Sequence, residues 1–243
     1  MSAIHDLLKK TDHRPWPIPE RPWIMEQVWR DLLFAHWRIP VPVLRQLVPP
    51  SLELDTFENE AWITVAPFRM SIRFRGLPAL PGMSAVPELN CRTYVSVGGK
   101  PGVYFFSLDI TSAAAAWAAR RFYHLPYYRA QMQAKKIGAR ISYTSNRDGA
   151  SWQSQYEPTS AIRRSVPGTL EHWLTERYRL YAVSDRAVYR GEVHHEPWPL
   201  QDASVKITDM NVLKRVQPDI VGNPEVVSFT PELRVLIWLP ERL

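Results

Sequence analysis

A single cysteine, Cys91, stands in 243 residues. That excludes an internal disulfide and a zinc cage built from thiolates. Glycine is scarce, at 10 residues, and no glycine-rich phosphate loop follows any strand-like run, so a nucleotide-binding fold is not expected. No apolar run approaches membrane-spanning length. The opening stretch MSAIHDLLKKTDHRPW has no long apolar segment, so a secretory signal is not expected and a cytoplasmic location is. No nucleophile elbow presents a serine. A helix with a basic stripe is also missing: the net charge is +6, yet Lys and Arg are scattered among acids. Nucleic acid is therefore not an expected partner, and a basic pocket for an anionic small molecule explains the charge equally well.

What is present is bulky and rigid. The 10 Trp, with 10 Tyr and 8 Phe, predict a core filled by rings or a cavity lined by them. The 22 Pro predict many short, sharply ended segments. Residues 1–22 read as a short helix and a proline-rich arm (HRPWPIPERPW) lying across a single domain that spans 23–243. From Trp23 the chain turns to strand-like runs rich in Val, Ile and aromatics, including IMEQVWRDLLFAHWRI, AWITVAPFRMSIRFRG, LNCRTYVSV, VYFFSLDI, IGARISYTS and RVLIWLP. Three helices are predicted among them. PVLRQLVP opens on a proline. TSAAAAWAARRFYH has a Thr or Ser cap, an alanine run and Pro126 as its stop. GTLEHWLTERY is capped by Thr169. Many strands with few helices predict a β-rich α+β fold, an antiparallel barrel or sandwich with peripheral helices.

The strand PELNCRTYVSV concentrates chemistry on one face. Strand alternation puts Glu88, Asn90, Arg92 and Tyr94 together and sends Leu89, Cys91, Thr93 and Val95 to the other side. Pattern alone leaves two readings open: a polar face in water, or the lining of a closed lumen. In the preceding run the same rule groups Arg30, Leu32, Phe34 and His36.

The segments LRQLVPPSLELD, PELNCRTYVSV and the helix running into YHLPYYRA resemble, in order and spacing, the acetoacetate decarboxylase superfamily. The phrases NCRTYV, PGVYFFSLD, HLPYYRA, LTERYRLY and HEPWPL are similar to its YqjF-like branch, a family of unknown function. The resemblance implies a closed antiparallel β-barrel or cone. It places the superfamily's active-site arginine on Arg30, its strand glutamate on Glu88 and its Pro-Lys-Lys on Pro126, Tyr127 and Tyr128. The superfamily's second acid, expected near Trp62 and Ile63, has no carboxylate in register. The decarboxylase requires a neutral lysine amine, made by a neighbouring cation in an apolar pocket. A phenol forms no imine, so the resemblance implies loss of Schiff-base decarboxylation.

Three other clusters compete for attention. Lys135 and Lys136 form an adjacent pair expected in a polar turn. His194, His195 and Glu196 adjoin, but neighbours on a strand face opposite ways, and no metal is expected. Arg163 and Arg164 fit an exposed basic loop. The expected protein binds a small anionic or carbonyl-bearing molecule without a cofactor. Arg30, His36, Asn90, Arg92 and Tyr94 would hold the ligand, and Glu88, Tyr127 and Tyr128 would act as acid, base or hydrogen-bond donors. Lyase, isomerase and hydrolase chemistry stay open. A non-catalytic binding module and an oligomeric interaction protein, with aromatic surface forming a homo-oligomer interface, are the alternatives.

Overall fold

The computed structural model describes residues 3–78, 82–214, 216, 220 and 222–243. In chain order the helices are α1 (Ala3–Lys9), α2 (Val41–Leu47), α3 (Ala113–Tyr123), α4 (Leu170–Thr175) and α5 (Asn211–Lys214). The strands are β1 (Met25–Ile39), β2 (Glu53–Leu54), β3 (Ala61–Phe74), β4 (Val86–Val97), β5 (Lys100–Ile110), β6 (Tyr127–Arg129) and β7 (Gln131–Ile137). They continue with β8 (Arg140–Arg147), β9 (Ala150–Pro158), β10 (Arg179–Ser184), β11 (Ala187–His194), β12 (Gln201–Asp209), β13 (Val226–Ile237) and β14 (Glu241–Arg242).

The strands form one 14-stranded sheet running β14-β11-β10-β5-β4-β3-β1-β13-β12-β9-β8-β7, with β2 on β4 and β6 on β5. A second pairing, Val193 with Ile237 and His194 with Leu236, joins β11 to β13. That contact closes β11, β10, β5, β4, β3, β1 and β13 into a ring. The ring is not the evenly antiparallel barrel expected: β5 meets both β10 and β6 in parallel. The remaining strands, β12, β9, β8 and β7, leave the ring at β13 and fold over its outside.

Side-chain alternation then builds two cores from the same strands. Leu33, Ala35, Trp37, Ile63, Val65, Leu89 and Cys91 point outward and pack on Tyr143, Trp152, Tyr156 and Phe229. Leu32, Phe34, Phe68, Met70, Val86, Ile110, Trp198 and Val235 pack together on the inner side. The ring therefore has a wall that is buried on both sides along much of β1, β3 and β4. At the parallel seam β5 comes so close to β10 that a Cβ on Gly102 would lie 2.7 Å from Tyr181 Cε2 and 2.9 Å from the Arg179 carbonyl oxygen. Gly102→Ala is expected to cost roughly 1–3 kcal/mol by overpacking, measured as a lower denaturant midpoint. An unchanged midpoint would contradict this seam.

Two expectations need correction. Lys135 and Lys136 lie within β7, not in a turn; the turn follows at Gly138, whose φ is 60°. α4 is shorter than predicted, because the chain after Thr175 breaks to start β10. The helix caps follow the sequence: Ser112 accepts from Ala115 N, His124 ends α3 in the left-handed region, and Thr169 accepts from His172 N. The N-terminal segment lies against the ring: Leu7 packs on Leu236 and Trp238, and the buried Arg14 meets Glu192 and the Val193 carbonyl. Among the described residues no helix is long and apolar enough to cross a membrane.

Candidate functional site

The inside of the ring holds a cavity of about 550 Å³. Within it β4 contributes Glu88, Asn90 and Arg92, the alternate residues of one strand face. The fourth member of that face, Tyr94, is fully buried behind them. Its hydroxyl donates to the Leu174 carbonyl at 2.9 Å and lies 2.7 Å from Thr64 Oγ1. His36 Nδ1 is 2.8 Å from the same Thr64 oxygen, and its pKa is held well below the usual value by burial and by the Arg92 cation. Tyr94 and His36 thus back the cavity wall without lining it.

Arg30 lies elsewhere. Its Nε meets Glu232 at 2.8 Å and its Nη1 meets Ser71 Oγ at 2.8 Å, on the half-exposed outer surface. The cause is a β-bulge. β1 and β3 pair in one register up to Arg30 and in a register shifted by one from Ala35, and Asp31 sits between them at φ 52°. An extra residue reverses every later side chain. Gln27 and Trp29 therefore share the inner face with Leu32, and Arg30 faces out. Asp31 is buried and gathers Arg69 and Lys136, the latter at 2.6 Å. We expect Asp31→Ala to lower stability by roughly 2–3 kcal/mol, from the lost ion pairs and the strain of a left-handed alanine. Denaturant unfolding measures this, and a change under about 0.5 kcal/mol would contradict it.

The two tyrosines also part. They lie in β6, beyond the helix end rather than on it, so they alternate. Tyr127 turns inward and donates from its hydroxyl to Glu88 Oε2 at 2.8 Å. Tyr128 turns outward, 42% exposed, with the Arg147 guanidinium 4.2 Å from its ring centre.

Electrostatically the cavity holds a carboxyl that resists charge and a cation with no counter-ion among the described residues. Burial raises the Glu88 pKa to about 7, opposed by hydrogen bonds from Tyr127 and Asn90 and assisted by the Asp109 carboxylate. Arg92 is only 7% exposed. Burial lowers its pKa, partly offset by Tyr94, while its guanidinium lies 5.1 Å from the Phe34 ring. Among the described residues its Nε and Nη2 have no hydrogen-bond partner, and neither has Asn90 Oδ1. The two other arginines on the lining each meet a carboxylate, Arg177 on Asp55 at 2.5 Å and Arg179 on Glu192 at 2.6 Å. Glu192 also serves Arg14 and Arg190, and Arg177 Nη2 and Arg179 Nη1 have no hydrogen-bond partner among the described residues. No lysine is among the described lining residues. Lys136 is tied to Asp31, and Lys135 is exposed on β7.

Sequence reasoning missed several residues that complete the lining. Trp29 and Trp198 stack at 5.6 Å, and Trp198 meets Phe34 edge-on at 4.8 Å. Arg177 and Arg179 arrive from distant segments. His195 lines the cavity, whereas His194 turns to the Leu7 carbonyl at 2.9 Å. Arg163 is an outer residue bound by Glu171 and Asp202. Only the bulge had a local signal, an acid within a strand-like run, and that signal does not fix which residue is extra.

The ring of strands with its few helices is an acetoacetate decarboxylase-like fold. Solved structures agree at the level of fold. Acetoacetate decarboxylase from Legionella pneumophila superposes with a TM-score of 0.62 at 11% identity, covering 100% of this chain and 96% of its own. The enduracididine biosynthesis enzyme MppR complexed with pyruvate gives 0.63 at 11% identity, covering 94% and 93%. Within that class the chain belongs to the DUF2071 family, described as an uncharacterized conserved protein, whose profile matches residues 26–234. The uncharacterized protein YqjF of Bacillus subtilis (strain 168) is 43% identical over 225 residues, 91% of this chain and 93% of its own.

Proposed function

We propose that the ring interior binds a small molecule carrying a carboxylate and a carbonyl, with Arg92 holding the carboxylate and Glu88, Tyr127 and Asn90 facing the carbonyl end. The observation that carries this is the uncompensated Arg92 guanidinium on a cavity wall. A buried cation with unused donors is costly unless something anionic completes it. Arg92 takes the part that the family resemblance gave to Arg30, because the bulge sends Arg30 outside. MppR, a distant relative in fold, is known with pyruvate bound, which supports a keto acid as the first probe.

Chemistry at such a site is acid–base and not covalent. A carboxyl near pH 7 exchanges its proton readily at neutral pH. Tyr127, whose pKa is pushed well up by burial and by Glu88, keeps its proton and serves as a fixed hydrogen-bond donor. That combination can polarise a carbonyl and move a proton at the adjacent carbon, as lyases and isomerases require. It cannot form an imine. Borohydride added with acetoacetate is therefore expected to leave every lysine unmodified by mass spectrometry. A reduced adduct on Lys135 or Lys136 would contradict the reading.

The test is calorimetric titration with pyruvate and acetoacetate, followed by proton NMR for turnover or for deuterium exchange beside the carbonyl. Product or exchange that disappears in Glu88→Gln supports an enzyme. Binding without either supports the second reading, a ligand-binding module, which the lysine-free lining favours. Failure of all short and long carboxylates to bind overturns both.

A further inference from the structure

Resting on that reading, we infer that the natural ligand is amphipathic: a carboxylic acid with an aliphatic chain of about eight or more carbons, its head at Arg92 and its tail along the apolar half of the ring. The cavity is graded along the strands. On β3 and β4 the paired levels run from Thr64 with Arg92, through Phe68 with Glu88, to Met70 with Val86. Beyond them Ile72, Phe74 and Met83 continue the lining. From the Thr64 level to Ile72 is eight residues, or roughly 26 Å of strand. The β4 groups Arg92 and Glu88 lie toward one end, and the lining beyond Glu88 is mostly hydrocarbon, with Gln27 at the Ile72 level and Ser112 at the α3 cap as its polar members.

The roof of that apolar half is α3. Ala114, Ala115, Ala118 and Ala119 line the cavity, so the helix shows methyl groups where larger side chains would fill the space. The volume of about 550 Å³ equals roughly eighteen waters of liquid, several times what a pyruvate-sized molecule displaces. A small keto acid bound at Arg92 would leave most of the apolar lining facing water. An acyl chain would cover it, and each methylene buried adds a comparable increment of affinity.

The test is a chain-length series of sodium carboxylates, from butanoate to dodecanoate below their micellar concentrations, titrated by quenching of tryptophan fluorescence at Trp29 and Trp198. Affinity is expected to rise roughly three- to fourfold per methylene, and decanol to bind at least tenfold more weakly than decanoate. Ala118→Phe, which fills the roof, should cut decanoate affinity at least tenfold and leave pyruvate affinity unchanged. A flat series in which butanoate or pyruvate binds as well as decanoate would overturn the inference and leave the proposed function standing. Decanol binding equal to decanoate would overturn the anionic head. Should no carboxylate of any length bind, the proposed function itself falls, and this inference with it.

Discussion

Arg92→Met is expected to make the ligand-free protein more stable and at the same time to lower its affinity for carboxylate ligands at least thirtyfold. The guanidinium is buried, and among the described residues its Nε and Nη2 are unpartnered and no carboxylate pairs with it as Asp55 pairs with Arg177. Such a group costs roughly 1–3 kcal/mol in the free protein, and methionine fills similar space without the charge. The thermal midpoint should rise by roughly 3–10 °C for a chain of this length. Losing one partner of a desolvated charge pair should cost the complex at least about 2 kcal/mol. Differential scanning calorimetry and ligand titration on the same preparation check both signs. A purely structural arginine would give the opposite: a lower midpoint and unchanged binding.

The second large effect belongs to Glu88 and is a matter of pH. Its carboxyl titrates near 7 in the folded chain and near the ordinary value of about 4.3 when unfolded. Between those values the folded state holds the extra proton, so stability falls as pH rises. The stabilising proton is fully present below the unfolded value, and its loss is complete above the folded one. The difference is worth roughly 3 kcal/mol. Glu88→Gln keeps the shape, the hydrogen bond from Tyr127 and a neutral group at every pH. We therefore expect the wild-type midpoint to fall relative to the variant by roughly 5–10 °C between pH 4 and pH 8. Parallel curves for the two proteins would mean that Glu88 ionises normally and is not desolvated in the ring.

Much of the fold is legible because its strands are long and their alternation is strict. That Glu88, Asn90 and Arg92 share one face follows from β4 alone, though not that the face lines the lumen, and the α3 caps follow from Ser112 and Pro126. Three features escape a reading by period. The bulge at Asp31 inserts one residue into an otherwise regular strand, which moves Arg30 from the expected cavity to the surface and brings Trp29 in. β6 is three residues long and held by parallel pairing to β5; seen as a helix end, Tyr127 and Tyr128 look equivalent, and seen as a strand they oppose. β7 is polar at four of its seven residues and exposed along most of its length, so Lys135 and Lys136 resemble a turn although their backbone is paired with β8. In each case the deciding contact is made with residues distant in sequence, and local pattern does not fix it. The closure of the ring by β11 and β13 is of the same kind.

Soaking crystals with sodium pyruvate and with sodium decanoate, and locating the carboxylate in each, tests the central claim most directly. The expected density lies inside the ring, with the carboxylate oxygens within hydrogen-bond distance of Arg92 and the rest of the molecule extending past Glu88 and Tyr127. A carboxylate found instead beside Arg30 and Ser71 on the outer face, with the ring interior holding only water, would contradict it.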